Sequence, residues 1–200
     1  KDIKLVHGPM KGAVTPSSAK IWLRTAEESK VEIVVSKKNG AVIGSFTANS
    51  NEENDYVVVI QITHLKPNTE YTYFISIDGK RTAKNYALKT YPESYKGQKF
   101  AIGFGGGAGY TDKHERMWNT LAAHNLTSFL FLGDNVYVDL PQMPGAFHNY
   151  TYYRRQSRPE YKRFLESTNI YAIWDDHDAA IDDIWMGPYI DKPAWKLPML

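Results

Sequence analysis

Apolar and polar positions alternate in short runs from Ala19 to Thr90, and each run ends in turn-forming residues. Lys20-Ile21-Trp22-Leu23-Arg24, Val31-Glu32-Ile33-Val34-Val35, Tyr56 to Ile62 and Tyr71 to Ile77 are rich in β-branched and aromatic side chains, which predicts strands. Asn39-Gly40 and Asp78-Gly79 are hairpin-type pairs, because both residue types accept the positive φ of a tight turn. Strand following strand without a helical period predicts a β-sandwich.

The period changes after Tyr91-Pro92-Glu93-Ser94-Tyr95-Lys96-Gly97-Gln98, a polar joint containing Pro and Gly. Lys99 to Phe104 reads as a strand running into Gly105-Gly106-Gly107-Ala108-Gly109. Asp112 with Glu115 fits a capping box, and Met117, Trp118, Leu121 and Ala122 form one apolar stripe ending near Asn125. Ser128 to Leu132 reads as a strand, Asp139 to about Asn149 as a loop, Arg154 to Ser167 as a helix and Ile170 to Trp174 as a closing strand. This β-α-β-loop-α-β order predicts a parallel sheet. The expected fold class is α/β with an all-β N-terminal domain, divided into residues 1–92 and 97–200.

The chemistry concentrates where the last two strands end. Ser128-Phe129-Leu130-Phe131-Leu132 breaks into Gly133-Asp134-Asn135-Val136-Tyr137, and Ile170-Tyr171-Ala172-Ile173-Trp174 breaks into Asp175-Asp176-His177-Asp178. In open α/β sheets ligands bind outside the carboxyl ends of the strands, and clusters of Asp, Asn, Tyr and His suit hard cations. Gly133-Asp134 alone reads as a plain turn. Four polar groups beside a buried Trp174 would repel one another unless a cation neutralises them or the turn is solvated, so the two motifs together point to a metal site. Tyr137 alone reads as packing under a loop. Beside a metal-bound phosphate, His177 could protonate a leaving oxygen. Arg154 and Arg155 suit either a solvated helix face or bidentate phosphate contacts, with Arg154 the candidate for the phosphate role. His7, His64, His114, His124 and His148 lack ligand spacing. Asn125-Leu126-Thr127 and Asn149-Tyr150-Thr151 match the glycosylation acceptor pattern, which is common by chance.

Composition narrows the classes. With 42% hydrophobic and 14% aromatic residues among 200, the chain can build real cores and is not disordered. A net charge of +2 gives no basic face for a general grip on nucleic acid, so any anion must be bound locally. The absence of Cys excludes disulfides and any thiolate nucleophile or ligand. No run approaches the ~20 apolar residues of a membrane span, and no signal segment opens the chain. Lys1 in place of Met reads as a processed or trimmed product.

These motifs resemble the PhoD-like alkaline phosphatases, relatives of the purple acid phosphatases within the metallophosphoesterase superfamily. Ala19-Lys20-Ile21-Trp22 and His64-Leu65-Lys66-Pro67-Asn68-Thr69-Glu70-Tyr71 are similar to that family's N-terminal fibronectin III-like domain, in which a Tyr pins a sandwich corner. Leu132 to Tyr137, Tyr153-Arg154 and Ile173 to Asp178 resemble its catalytic motifs. The resemblance implies a β-sandwich followed by the first part of an α/β/β/α catalytic sandwich. It implies a dinuclear centre of Fe3+ with Ca2+, or with Mn2+ or Zn2+. There Asp134 bridges the metals, Tyr137 binds iron, Asp176 binds the second metal and His177 aids the leaving group. Asp175 and Asp183 are carried over as supports. Two departures stand out: Gly107 lies where the family has a Cys ligand, and the chain stops at Leu200, before further Asp and His ligands.

The leading expectation is therefore a metal-dependent phosphoric ester hydrolase using a metal-bound hydroxide, with His177 and Arg154 as catalytic residues and Asp134, Tyr137, Asp175 and Asp176 as metal ligands. A second chain or a missing C-terminal half would complete the site. Family resemblance places the protein outside the cytoplasm, secreted or periplasmic. The alternatives are a non-catalytic binding or adhesion protein with a degenerate phosphatase-like domain, and a calcium-binding structural protein.

Overall fold

The computed structural model describes residues 4–140, 145–179 and 181–184. Over these residues the protein is mostly β, with a few helices and two sheets. The strands are β1 (Leu5–Gly12), β2 (Ala19–Thr25), β3 (Ser29–Lys37), β4 (Val42–Ser50), β5 (Val57–Ile62), β6 (Glu70–Ile77), β7 (Lys80–Lys89), β8 (Ile102–Gly105), β9 (Ser128–Leu132) and β10 (Asn169–Ile173). The helices are α1 (Met117–Ala123), α2 (Ala146–Gln156), α3 (Pro159–Ser167) and the single turn α4 (Asp176–Ala179).

Alternation along the strands builds the sandwich. Ile21 and Leu23 of β2 and Val58, Ile60 and Ile62 of β5 pack against Val31, Ile33 and Val35 of β3 and Tyr73 and Ile75 of β6, all buried. One sheet is antiparallel, in the order β4-β3-β6-β7. Asp78 and Gly79, both at positive φ, close the β6–β7 hairpin, and the Tyr71 hydroxyl accepts from the Lys66 amide at 2.7 Å, pinning the corner before β6.

The other sheet has six strands in the order β5-β2-β1-β10-β9-β8. β1 pairs antiparallel with β2 on one side and parallel with β10 on the other, at Lys11 and Asn169. The joint at 92–97 therefore lies between segments that share one hydrogen-bonded sheet. Strands β10, β9 and β8 are mutually parallel, and α1 and α3 cover one of their faces through Trp118, Phe129, Phe131, Phe164 and Ile170.

Several local expectations are corrected. The single helix over 154–167 is two helices, because Pro159 forces Arg158 to an extended ψ of 129°. The Asp112/Glu115 capping box does not form. α1 begins at Met117 with no side-chain cap, and Glu115 turns inward. Trp174 is not buried but 58% exposed. Strands β1, β4 and β7 have no counterpart in the sequence reading. The strand expected from Lys99 starts at Ile102, and the loop expected over Asp139 to Asn149 gives way to α2 at Ala146, with residues 141–144 outside the described set.

Candidate functional site

Strands β9 and β10 run in register to their last residues, with Leu132 opposite Ile173, so the acid-rich turns that follow emerge side by side. The turn after β9 is tight. Gly133 has φ +95°, and a Cβ there would lie 2.6 Å from the Asp175 Cβ, so glycine is what lets the two turns approach. Asp134 follows at φ 51°. From the loop after β8, the Gly107 and Ala108 amides donate to the Gly133 and Asp134 carbonyls at 3.4 and 3.1 Å.

This arrangement gathers Asp134, Asp176 and His177, whose ligand atoms lie within 4.8 Å of one another. A second group, Asp176 with Asp182 and Asp183, meets the same limit, so Asp176 belongs to both. Tyr137 joins the first group by donating its hydroxyl to Asp134 at 3.2 Å. Asp175 is exposed and outside both groups, and accepts from the Asp176 amide at 3.0 Å. Arg154, on α2, faces Tyr110 at 4.4 Å from the ring centre rather than the acids, and its buried Nε has no hydrogen-bond partner among the described residues.

Electrostatics bind the cluster together. Desolvation raises the Asp134 carboxyl above its usual range, opposed by the Tyr137 hydrogen bond and the His177 charge, with Asp176 and Asp175 adding to the rise. Desolvation and the Asp134 charge also raise the Tyr137 phenol. Asp176 is also desolvated, which by itself raises it. Its acceptance from the Asp183 and His177 amides wins, and the net shift is downward. For His177, desolvation is outweighed by a 2.5 Å contact between Nδ1 and Asp139 and by the neighbouring carboxylates, so the imidazole is raised. Its ring lies 4.2 Å from that of Tyr137.

A cation fits this donor set. Asp134 Oδ1 is buried with no hydrogen-bond partner among the described residues, and the Asp176 carboxylate and the His177 imidazole converge with Asp134. Gly107 offers no side-chain donor. A Cβ built there would lie 3.8 Å from the Tyr137 hydroxyl.

The residues that hold the site were named by sequence reasoning in other roles, and their bracing role was missed. Asp178 is buried and accepts from the Asn135 amide at 2.9 Å, the Val136 amide at 3.1 Å and the Asp175 amide at 3.0 Å, tying one turn to the other. Arg155, also buried, donates to both oxygens of Glu115 at 3.1 and 2.9 Å and to the Asn135 carbonyl at 2.5 Å. Asp178 stood inside a motif already noted. Nothing in the sequence links positions 115 and 155.

Among solved structures, PhoD superposes with a TM-score of 0.76 at 15% identity, over 95% of this chain and 44% of the PhoD chain. The fold is PhoD-like. At this identity the likeness extends to the fold alone, and the chain spans less than half the length of PhoD. A family model described as a domain of unknown function, DUF7800, matches residues 2–95. That range ends at the joint before the PhoD-like parallel strands. The sensor domain of the anti-sigma factor RsgI4 of Pseudobacteroides cellulosolvens aligns at TM-score 0.35 and 15% identity, over 46% of this chain and 97% of its own. A fibronectin type III domain from the human KIAA0970 protein aligns at TM-score 0.33 and 13% identity, over 46% and 77%. No curated protein matches the chain.

Proposed function

We propose that this protein is a metal-dependent phosphoric ester hydrolase of the PhoD-like kind, acting on phosphate mono- or diesters. The observation that carries this reading is the convergence of Asp134, Asp176 and His177 at the adjoining ends of β9 and β10 in a PhoD-like fold. Residues 1–92 form the fibronectin III-like domain and 97–200 the phosphatase portion, completed by further chain or by a second chain. On this reading the centre is dinuclear, Fe3+ with Ca2+ or with Mn2+ or Zn2+, and the protein works in a secreted or periplasmic setting, which the resemblance of its motifs supports.

Asp134, Tyr137 and Asp176 would hold the cations, with Asp175 in support. A bound cation supplies Lewis-acid neutralisation of phosphoryl charge and lowers the pKa of water from ~15.7 towards ~7, so no Ser or Cys nucleophile is needed. His177, its Nδ1 held by Asp139 and its Nε2 3.3 Å from Asp182, would exchange Asp182 for the departing ester oxygen and act there as proton donor rather than as a cation ligand. Arg154, stacked on Tyr110, would have to swing away from that ring to offer its guanidinium to the non-bridging oxygens. Asp178 and Arg155 keep the two turns in place. The test assays the full-length protein on aryl phosphate mono- and diesters with added metals, beside Asp134→Asn and Asp176→Asn. Turnover at least 100-fold lower in both variants is expected, and equal turnover in all three defeats the proposal.

Gly107 favours one competing reading, a non-catalytic binding or adhesion protein with a degenerate site. Elemental analysis by plasma mass spectrometry separates the two, since stoichiometric iron contradicts a degenerate centre.

A further inference from the structure

A cleft of about 270 Å3 lies between the sandwich and the parallel strands, at the end of the sheet opposite the acid cluster. Its floor includes Lys11 and Asn169, which pair where β1 meets β10, and Thr127, just before β9. Strand β9 has five residues. At about 3.3 Å each, they set the cleft roughly 15 Å from the turns that follow the strand.

Among the described residues, three lysines line this cleft, Lys11, Lys89 and Lys99, and no carboxylate does. Lys11 is the informative one. It is 5% exposed, and among the described residues its ammonium makes one hydrogen bond, to the Ala87 carbonyl at 3.1 Å. An ammonium has three donors, so two are left over. The nearby acid, Glu166, is engaged by Lys84. Burying a charge with so little compensation is costly, and a bound anion would remove that cost. The lowering of Lys11 to about 8, driven by desolvation and opposed by Glu166, agrees with an ammonium short of partners. Also lining the cleft, Tyr95 stands edge-on to Phe100 at 5.1 Å and to Tyr91 at 6.1 Å, giving it aromatic surface.

We propose that this cleft is a binding site for a small organic anion, with its oxyanion head against Lys11 and Lys99 and its apolar body against Tyr95 and Phe100. A volume near 270 Å3 lies just below the ~300–1,000 Å3 of typical ligand pockets, so a single-ring aromatic carboxylate fits. This site is independent of the acid cluster and of any hydrolase activity.

The experiment is isothermal titration calorimetry of the chelator-treated full chain with benzoate and, separately, with inorganic phosphate. One saturable benzoate site is expected, at least tenfold tighter than phosphate, weakened at least tenfold in Lys11→Met and severalfold in Lys99→Ala, and unchanged in Asp176→Asn. Absence of saturable binding overturns the proposal. So does phosphate binding more tightly than benzoate, or benzoate binding that Asp176→Asn abolishes. If Lys11→Met does not fold, the exposed pair Lys89→Ala/Lys99→Ala decides, and undiminished benzoate affinity in that variant overturns the site.

Discussion

Arg155→Met is expected to have a large effect although it lies away from the acid cluster. Arg155 and Glu115 are 3% and 0% exposed and joined by two charge-assisted hydrogen bonds, and the guanidinium also donates to the Asn135 carbonyl. Replacing Arg155 strips all three bonds and leaves the Glu115 carboxylate buried with the Trp118 indole N–H at 2.8 Å as its remaining partner. Removing one member of a buried pair costs about 3–5 kcal/mol, because the orphaned charge keeps its desolvation penalty. For a chain of this size that is about 10 °C in Tm, at roughly 2–4 °C per kcal/mol. Glu115→Leu should cost a similar amount for the mirror-image reason, plus about 1 kcal/mol for the unpaired indole. The double variant removes both charges, so its loss should fall well short of the sum of the two single losses, with about 2 kcal/mol or more of coupling. Urea unfolding of the four proteins followed by tryptophan fluorescence, with calorimetric Tm alongside, measures the cycle. Strict additivity, or a loss below about 1 kcal/mol in Arg155→Met, would refute the account of this pair as a buried, mutually dependent clamp.

Three further outcomes are expected. Desolvation, with the Arg24 and Lys162 charges and against that of Asp55, lowers His7 from 6.5 to about 4. The unfolded chain therefore takes up the proton first, and stability falls as pH drops from about 6.5 to about 4, by about 3 kcal/mol at most. His7→Gln should flatten that window in pH-dependent urea melts, and an unchanged slope counts against the assignment. Gly133→Ala meets both a positive φ and a 2.6 Å clash with Asp175, so a loss of at least 2 kcal/mol and weakened Mn2+ binding by calorimetry are expected, while a neutral effect would mean the two turns are not tightly apposed. Tyr71→Phe removes the acceptor for the Lys66 amide and should cost about 1–2 kcal/mol in urea melts, with no loss expected if the corner is held by packing alone.

What the sequence discloses here follows the range over which each signal acts. Ser128 to Leu132 is a strand in both readings because five apolar residues between turn formers need no distant partner to be recognised. The acids at the ends of β9 and β10 were legible for the same reason, as local motifs whose convergence requires only that the strands be parallel neighbours. β1 was hidden because Gly8-Pro9 sits in its middle, and β7 because Lys80, Arg81, Lys84 and Lys89 give it the charge of a solvated edge. The Glu115–Arg155 clamp was illegible in principle. Forty residues separate the partners, and each has an unremarkable local role available, Glu115 as a cap and Arg155 as a surface cation. Trp174 misled because an aromatic at the end of an apolar run suggests burial, whereas the residue extends past the last strand pair.

The position of β1 changes what the sandwich is for. β1 separates β10 from β2, so the strand that delivers Asp176 and His177 is an inner strand of a six-stranded sheet rather than the edge of a three-stranded one. The same segment reaches α2. His7 is buried between the Arg24 guanidinium at 2.8 Å and the Ser157 hydroxyl at 2.9 Å, Arg24 pairs with Asp55 at 2.7 Å, and Asp55 accepts from Tyr153. On α2, the residue before Tyr153 packs against Val136 and Val138, and the residue two after it is the arginine that clamps the Asn135 carbonyl. A continuous chain of contacts thus runs from the sandwich through α2 to the turn that bears Asp134. Ligand geometry at the acid cluster depends on sub-ångström placement of two turns, and in this fold both turns are braced against the sandwich, one through β1 and β10 and the other through α2. The N-terminal strands therefore serve as the frame of the site, which explains why they share a sheet with it.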